Sequence, residues 1–266
     1  MLDDPRSGRL AAWGNAMIAG QVSPDTAVQH IIGGDAVHRV DGLPGEAGPV
    51  GLTLALGRLR ALGATGLRVA LPAPGHPLGL SGPPEFNAAA LQAEEAVIVS
   101  GGPALGLVPE VYAVGPDGDT HVEVTWRCLA VRDAPPADVP SLGEAERELA
   151  EAMREATDVL TRLDVAGAGP AARAALAAYQ ARAEAGRGAL APGYPPRATR
   201  VLELAQRVGA LMAIASAPET AEHGAAVTAS EIAARRDALR PVERTARRAQ
   251  VAAYNAFVEE LERRRG

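Results

Sequence analysis

A proline-rich stretch from Asp133 to Pro140 constrains this chain more than any other feature of its sequence. It holds three prolines in eight residues (DAPPADVP), and proline lacks a backbone N–H and favours extended backbone, so no helix continues through it. Strand patterns come only before this stretch, and every long segment after it has helical periodicity. We therefore predict an α+β or α/β fold, a small mixed sheet with flanking helices followed by a C-terminal helical bundle, with domains 1–137 and 138–266.

Helix and strand patterns alternate in the N-terminal half. Ser23-Pro24 predicts a helix start, with serine as the N-cap and proline in the first turn. Apolar segments at 67–71 and 96–99 predict short strands, and the segment 84–94 between them predicts a helix. Helix and strand in this order with short connections are typical of a right-handed crossover, so a partly parallel sheet is expected.

Two further strands are predicted at 107–114 and 121–131, joined as a hairpin by the turn Gly115-Pro116-Asp117-Gly118-Asp119. In the second strand, apolar and polar residues alternate from His121 to Cys128, which predicts one drier and one wetter face. The Gly-rich run from Gly42 to Gly51 is predicted to be a loop.

Four helices are predicted after the proline-rich stretch. Ser141 caps the first, the second follows Pro170, the third follows the break at 192–197, and the last runs from about 228 to the C-terminus with a kink or break at Pro241. Aromatic residues make up only 3% of the chain, so the Ala-rich helices bury little area per residue. We therefore expect part of their apolar surface to be covered by a second copy or another protein partner, and homo-oligomers are predicted.

Composition excludes several classes of function. All 26 basic residues are Arg, so the lysines of P-loop proteins, Schiff-base enzymes and kinases are absent. The net charge of -6 and the pI of about 5.5 argue against a general nucleic-acid binder. Cys128 stands alone, and the five histidines lack metal-ligand spacing and are expected to face solvent. No catalytic residue, metal ligand or cofactor is predicted, and whether the chain is an enzyme stays open.

The first ten residues, MLDDPRSGRL, are acidic and lack a long apolar run, so a signal peptide is not expected. No stretch approaches 18 apolar residues free of charge or proline, so no membrane span is expected. Both observations predict a cytoplasmic protein without a membrane partner.

The most unusual local sequence is the loop Gly75–Asn87, which follows a predicted strand and enters the N-terminus of the helix predicted at 84–94. Ligands of open α/β sheets bind where strands end and helices begin, and free N–H groups there favour anions. Polar side chains in this loop could contact an anion or small metabolite: His76, Ser81, Glu85 and Asn87. The alternative is a rigid Pro/Gly connection whose polar residues cap the helix.

The last helix is rich in arginine and predicts a second candidate site. A DNA-associated factor would use its basic residues for phosphate contacts, in particular Arg235, Arg236, Arg244, Arg247 and Arg248. Interleaved glutamates cancel much of this charge, so a salt-bridged solvent face is the leading interpretation. A non-enzymatic interaction or scaffold protein with self-associating helices therefore ranks first, a binder or enzyme using the 75–87 loop second, and a DNA-associated factor third.

Four segments together resemble an uncharacterised family of high-GC actinobacteria: SPDTAVQHIIGGD, LALGRLRALGATGLRVALPAPGHPLGLSGPPEFNAAAL, GLVPEV and ARRDALRPVERTARRAQVAAYNAF. The resemblance covers nearly the whole chain. It implies a free-standing cytoplasmic protein, and it implies no activity, ligand or site residue.

Overall fold

The structure, a computed structural model of the chain, describes residues 5–116, 118–162, 190–216 and 229–264. Its contacts divide the chain into two compact units. The unit that contains the strands, here called the sheet unit, comprises Asp4–Val139, Ala189–Pro195 and Tyr254–Gly266. The other, here called the helical unit, comprises Met1–Asp3, Pro140–Gly188 and Pro196–Ala253. The division into domains 1–137 and 138–266 stays a prediction.

Six strands form one mixed sheet in the sheet unit, which confirms the predicted fold class as α+β. They are β1 (Val37–Asp41), β2 (Val50–Gly51), β3 (Gly66–Ala70), β4 (Ala96–Ser100), β5 (Leu105–Val114) and β6 (His121–Ala130). Their order across the sheet is β2-β1-β6-β5-β4-β3. Only β1 and β6 pair in parallel among the described strands, and the other neighbours are antiparallel.

Four helices accompany this sheet: α1 (Arg6–Ile18), α2 (Pro24–Ile32), α3 (Leu52–Ala61) and α4 (Pro84–Ala93). Ser23 is the N-cap of α2, as predicted, and its side chain accepts a hydrogen bond from the Thr26 N–H at 3.2 Å. Helix α1 packs on β3 through small residues. A Cβ built on Gly14 would lie 2.6 Å from Leu67 Cδ1, so glycine is required for this close approach.

The expectation of a partly parallel sheet is confirmed, but the crossover expected between the strands at 67–71 and 96–99 is wrong. The strands predicted at 67–71 and 96–99, β3 and β4, are neighbours but antiparallel, so the chain between them reverses direction and makes no crossover. The parallel pair is formed instead by β1 and β6, and β1 was not predicted. Strand β2 lies at the end of the predicted Gly42–Gly51 loop. Strand β1 escapes a pattern search because charged or polar residues occupy three of its five positions (VHRVD).

Two asparagines close the outer edge of β3, the last strand of the sheet. Asn15 of α1 donates to the Leu67 carbonyl (2.9 Å) and accepts from the Leu67 N–H (2.6 Å). Asn255 makes the same pair of hydrogen bonds with Val69, at 3.1 Å and 2.7 Å. Each side-chain amide therefore takes the place of a neighbouring strand, and these outward-facing backbone groups are not available to another chain.

In the residues that the structure describes, three helices follow the proline-rich stretch: α5 (Leu142–Arg162), α6 (Pro196–Ser216) and α7 (Ala229–Arg263). A capping box begins α5, as the Ser141 Oγ accepts from the Glu144 N–H at 3.3 Å and the Glu144 carboxylate accepts from the Ser141 N–H at 2.9 Å. The helix predicted after Pro170 lies outside the described residues. None of the helices that the structure describes has an apolar stretch long enough to span a membrane.

The last helix, α7, is continuous through Pro241, so it does not break there. The kink that was the other expectation at Pro241 stays a prediction. Apolar residues at helical spacing along α7 are all buried: Leu239, Val242, Ala246, Ala249, Ala253 and Phe257. The first part of α7, up to Ala253, belongs to the helical unit, and the part from Tyr254 belongs to the sheet unit. The last turns of the predicted C-terminal bundle, which include Asn255, therefore belong to the sheet unit.

Candidate functional site

The predicted ligand loop is tied down by hydrogen bonds within the sheet unit. The His76 and Ala73 backbones bond each other at 2.8 Å and 2.9 Å, and the Gly79 N–H donates to the Ala137 carbonyl at 2.8 Å. Asn87 Oδ1 accepts from the Gly82 N–H at 3.0 Å. These hydrogen bonds hold part of the loop in place, as expected if the loop is a rigid Pro/Gly connection rather than a ligand site.

The four candidate side chains of this loop differ in exposure. Glu85 is exposed at the start of α4, and the other three are half-buried: His76, Ser81 and Asn87. Leu80 and Phe86 of the same segment point into the sheet unit, where they pack with Ala70, Ala90, Ala96 and Val108. No ligand contact is established by this placement, so the ligand site stays a prediction.

The arginines of α7 that the structure describes have interaction partners. Arg248 donates from Nε to the Glu148 carboxylate of α5 at 3.2 Å, and Arg244 and Arg247 also interact with other groups. The side chains of Arg235 and Arg236 lie outside the described part. A phosphate contact by these residues stays a prediction, and the Arg248–Glu148 pair is of the kind expected from a salt-bridged face.

A buried network of charged side chains was missed by the sequence analysis. Asp35, in the turn between α2 and β1, accepts hydrogen bonds from Arg6 on both oxygens (2.8 Å to Oδ1 and 2.9 Å to Oδ2). Arg9 Nη2 donates to Oδ2 at 2.9 Å, and His38 Nε2 lies 2.9 Å from the same oxygen. The carboxylate therefore joins α1 to the beginning of β1.

His38 extends this network to β6 and is held in one tautomer. Trp126 Nε1 lies 3.3 Å from His38 Nδ1, and an indole N–H can only donate. Nδ1 must then carry the lone pair, so Nε2 carries the proton that is donated to Asp35. The expectation that the histidines face solvent is wrong for His38, whose side chain is fully buried.

The pKa values of the network follow from its geometry. Burial and, to a lesser extent, the charges of Arg9 and Arg6 hold the pKa of His38 below its ordinary value, although the hydrogen bond and charge of Asp35 act to raise it. Burial acts to raise the pKa of Asp35, but hydrogen bonds from Arg6 and His38 and the charges of Arg6 and Arg9 together hold it below its usual value. The network is thus a neutral imidazole beside a carboxylate that is paired with two guanidinium groups.

This network has the composition of a catalytic cluster but lacks access to a substrate. The His38 side chain has no exposed surface, and both of its nitrogens already have partners. We therefore interpret the network as structural, since it connects α1, β1 and β6. In the sequence, Asp35 lies three residues before His38, and Arg6 and Arg9 lie one helical turn apart, but neither spacing indicates that the two pairs meet.

Cys128 and metal ligation were both predicted not to form sites. Cys128 is buried in β6, and burial raises the pKa of its thiol to about 11, so it is protonated at neutral pH. Within the described ranges, no group of three or more His, Cys, Asp or Glu side chains has a geometry suited to a metal ion.

An exposed apolar segment lies at the end of the β5–β6 hairpin. We call this segment, Val111–Val114, the β5 edge. Val111, Tyr112 and Val114 are 47%, 49% and 40% exposed. Strand β4 pairs with β5 only at Gly106 and Leu107, so no strand in the described part of the chain covers the rest of this side. The sequence signal was the run VYAV, in which the alternation of apolar and polar residues is lost.

Comparison with known proteins places the chain in a family. The model described as Rv1486c-like protein, N-terminal domain, matches residues 7–141, and the model described as Rv1486c-like protein, C-terminal domain, matches residues 143–251. The chain belongs to the Rv1486c-like protein family. This finding confirms the resemblance to an uncharacterised actinobacterial family.

Mycobacterial relatives cover almost the full length of this Rv1486c-like chain. The uncharacterized protein Rv1486c of Mycobacterium tuberculosis is 32% identical, and the alignment covers 94% of this chain and 96% of the relative. The uncharacterized proteins MAV321 of Mycobacterium avium and ML1804 of Mycobacterium leprae are each 31% identical with the same coverage. No solved structure matches the chain. The function of these homologues is unknown, so they transfer no activity to this Rv1486c-like protein.

Proposed function

We propose that the chain is a non-enzymatic interaction protein of the cytoplasm that associates with protein through its β5 edge. The observation that carries the proposal is an uncovered strand segment with exposed apolar side chains on both faces, Val111 on one face and Tyr112 and Val114 on the other. Exposed apolar residues are ordinary when single, but an uncovered strand edge with apolar side chains on both faces is typical of a binding surface. Backbone groups at a strand edge add hydrogen bonds to the apolar contact.

The geometry favours this hairpin over the helices as the site of association. The sequence led us to expect self-association through the apolar stripes of the helical bundle. In the described part of the helical unit, however, the exposed large apolar side chains are Met153 and Leu211, which lie on different helices. The stripe residues of α7 are buried. Among the described residues of the helical unit, most of the apolar surface that was expected to attract a partner is therefore covered by other parts of the chain.

Light scattering over a range of protein concentrations tests the proposal. The wild-type chain is expected to show a molar mass that rises above the monomer mass of 27.3 kDa as concentration increases. Val111→Asp places a charge on the exposed apolar segment and is expected to abolish this rise, since burying an unpaired carboxylate is unfavourable.

Leu54→Asp is the matched control because Leu54 is also an exposed apolar residue, at 53% on α3. This variant should associate as the wild type does, and circular dichroism should show that both variants are folded. A wild-type chain that is monomeric at every concentration would contradict the proposal, as would equal loss of association in the two variants.

Each of the two alternatives includes a side chain that the fold already uses. In the predicted ligand loop, Asn87 is hydrogen-bonded to Gly82. In the arginine-rich part of α7, Arg248 is paired with Glu148. A ligand or a phosphate would have to compete with these contacts, whereas the β5 edge meets a partner without such competition.

A further inference from the structure

We infer that the partner of the β5 edge is the same edge of a second copy, paired antiparallel with Tyr112 opposite Tyr112 of the copy. This inference rests on the proposed function and adds to it the partner and the register. It is carried by the hydrogen-bonding pattern of the hairpin, by the position of Pro109 and by the charges beside the edge.

The hairpin register decides which backbone groups of β5 face outward. The Val131 N–H donates to the Ala104 carbonyl at 3.0 Å, and the same register continues along the whole hairpin. Because hydrogen-bonded pairs alternate in antiparallel ladders, the even-numbered residues of β5 bond to β6 and the odd-numbered residues face the other side. The N–H and C=O groups of Val111 and Ala113 therefore face outward, where no described strand lies.

Pairing across a twofold axis at Tyr112 uses all of these groups. Val111 of each chain then lies opposite Ala113 of the other, and each such pair exchanges two hydrogen bonds. An axis at Val111 would instead place Ala113 opposite Pro109, which has no N–H to donate. An axis at Ala113 would place Val111 opposite Gly115, a turn residue with a φ of 117°. Tyr112 is the centre that keeps both pairs within regular strand.

The charges beside the edge do not oppose a second copy. Glu110 lies 3.3 Å from Arg127 Nη1 and accepts a hydrogen bond from the Tyr112 hydroxyl at 2.7 Å. Glu123 pairs with Arg39 at 3.0 Å. In the inferred register Glu110 lies opposite Val114 of the copy, and the two Glu110 positions are about 13 Å apart along the strands, beyond the screening length of about 8 Å at physiological salt.

The inferred interface is small. A few residues of one strand bury far less than the roughly 800 Å² per partner of a standard protein interface. The dimer is therefore reversible and depends on concentration. A trapping experiment suits such an interface better than isolation of a stable complex.

Disulfide trapping in the full-length chain tests the register. Side chains of directly opposite, non-hydrogen-bonded residues have the shortest Cβ–Cβ distances in an antiparallel pair, which suits a disulfide. Tyr112→Cys is therefore expected to form a covalent dimer under mild oxidation about tenfold faster than Val114→Cys, whose residue lies opposite Glu110 of the copy. The wild-type chain, whose single cysteine is the buried Cys128, should form none.

The outcomes separate the register from the proposed function. An equimolar mixture of Val111→Cys and Ala113→Cys chains should form the mixed dimer faster than either variant alone dimerises. Faster trapping of Val111→Cys or Ala113→Cys by itself would overturn the register and leave association intact. A dimer by light scattering that none of these cysteines traps would overturn the β5 pairing. A wild-type chain that is monomeric at every concentration would overturn the proposed function itself.

Discussion

Substituting Asn255 by leucine is expected to lower the free energy of unfolding of the sheet unit by about 2–4 kcal/mol. Leucine is close to asparagine in size but can neither donate nor accept. The substitution leaves the buried N–H and C=O groups of Val69 without partners, and each unsatisfied group costs about 1–3 kcal/mol. Urea unfolding followed by tryptophan fluorescence measures this loss, since Trp13 and Trp126 both lie in the sheet unit.

Gln92→Leu is the control for this substitution because Gln92 is exposed on α4. It introduces the same side chain without removing a buried hydrogen bond and should change the stability little. Asn15→Leu removes the equivalent pair of bonds to Leu67 and should resemble Asn255→Leu. If Asn255→Leu unfolded at the same urea concentration as Gln92→Leu, the closure of the β3 edge by asparagine would be wrong.

Substituting Asp35 by asparagine is the second change with a large expected effect, about 2–4 kcal/mol. The amide keeps the shape of the carboxylate but turns an NH₂ group toward donors and leaves Arg6, Arg9 and the His38 N–H with too few acceptors. Arg6 and Arg9 retain some contact with water, which limits the loss. The same fluorescence-detected urea unfolding measures the effect.

The control for Asp35→Asn is Arg39→Ala on the neighbouring strand β1. Arg39 pairs with Glu123 at 3.0 Å, but this ion pair lies at the surface, and exposed ion pairs contribute little to stability. A loss for Arg39→Ala as large as that for Asp35→Asn would show that the network is no stronger than a surface ion pair.

The network also predicts that stability falls as the solution becomes acidic. The pKa of His38 is lowered in the folded chain, so the unfolded chain takes up a proton near its ordinary pKa of about 6.5 while the folded chain resists it. The contribution of His38 is therefore complete above pH 6.5 and is lost progressively below it. Protonation of Nδ1 would also oppose the Trp126 N–H.

His38→Gln isolates this pH effect. Glutamine can donate to Asp35 and accept from Trp126 without titrating in this range. Between about pH 7 and about pH 5.5, the variant should lose less unfolding free energy than the wild type. An equal loss in both proteins would assign the pH dependence to other groups.

Features encoded by neighbouring residues were predicted correctly. Ser23 and Ser141 begin helices because their side chains bond to backbone within the next turn. The hairpin follows from a turn of glycine, proline and aspartate between two apolar segments. These signals act over a few residues, so one sequence is enough to detect them.

Features that depend on distant residues were missed. His38 is inside the sheet unit because of Trp126, which is 88 residues away, and Asn255 acts on a strand 186 residues earlier. A lone His in VHRVD or a lone Asn in a helix gives no local indication of such a partner. The direction of β4 was also missed, because the connection through α4 allows either a crossover or a reversal.

The central claim is that two strand segments without a neighbouring strand differ. The edge of β3 is closed by asparagine side chains, and the β5 edge is open to a second copy. Hydrogen exchange of single amides, followed by NMR at low and high protein concentration, tests it most directly. The amides of Leu67 and Val69 should exchange at least about a hundredfold more slowly than those of Val111 and Ala113 in dilute solution, and the latter two should slow as concentration rises. Fast exchange at Leu67 and Val69, or exchange at Val111 and Ala113 that is slow in dilute solution, would contradict the account.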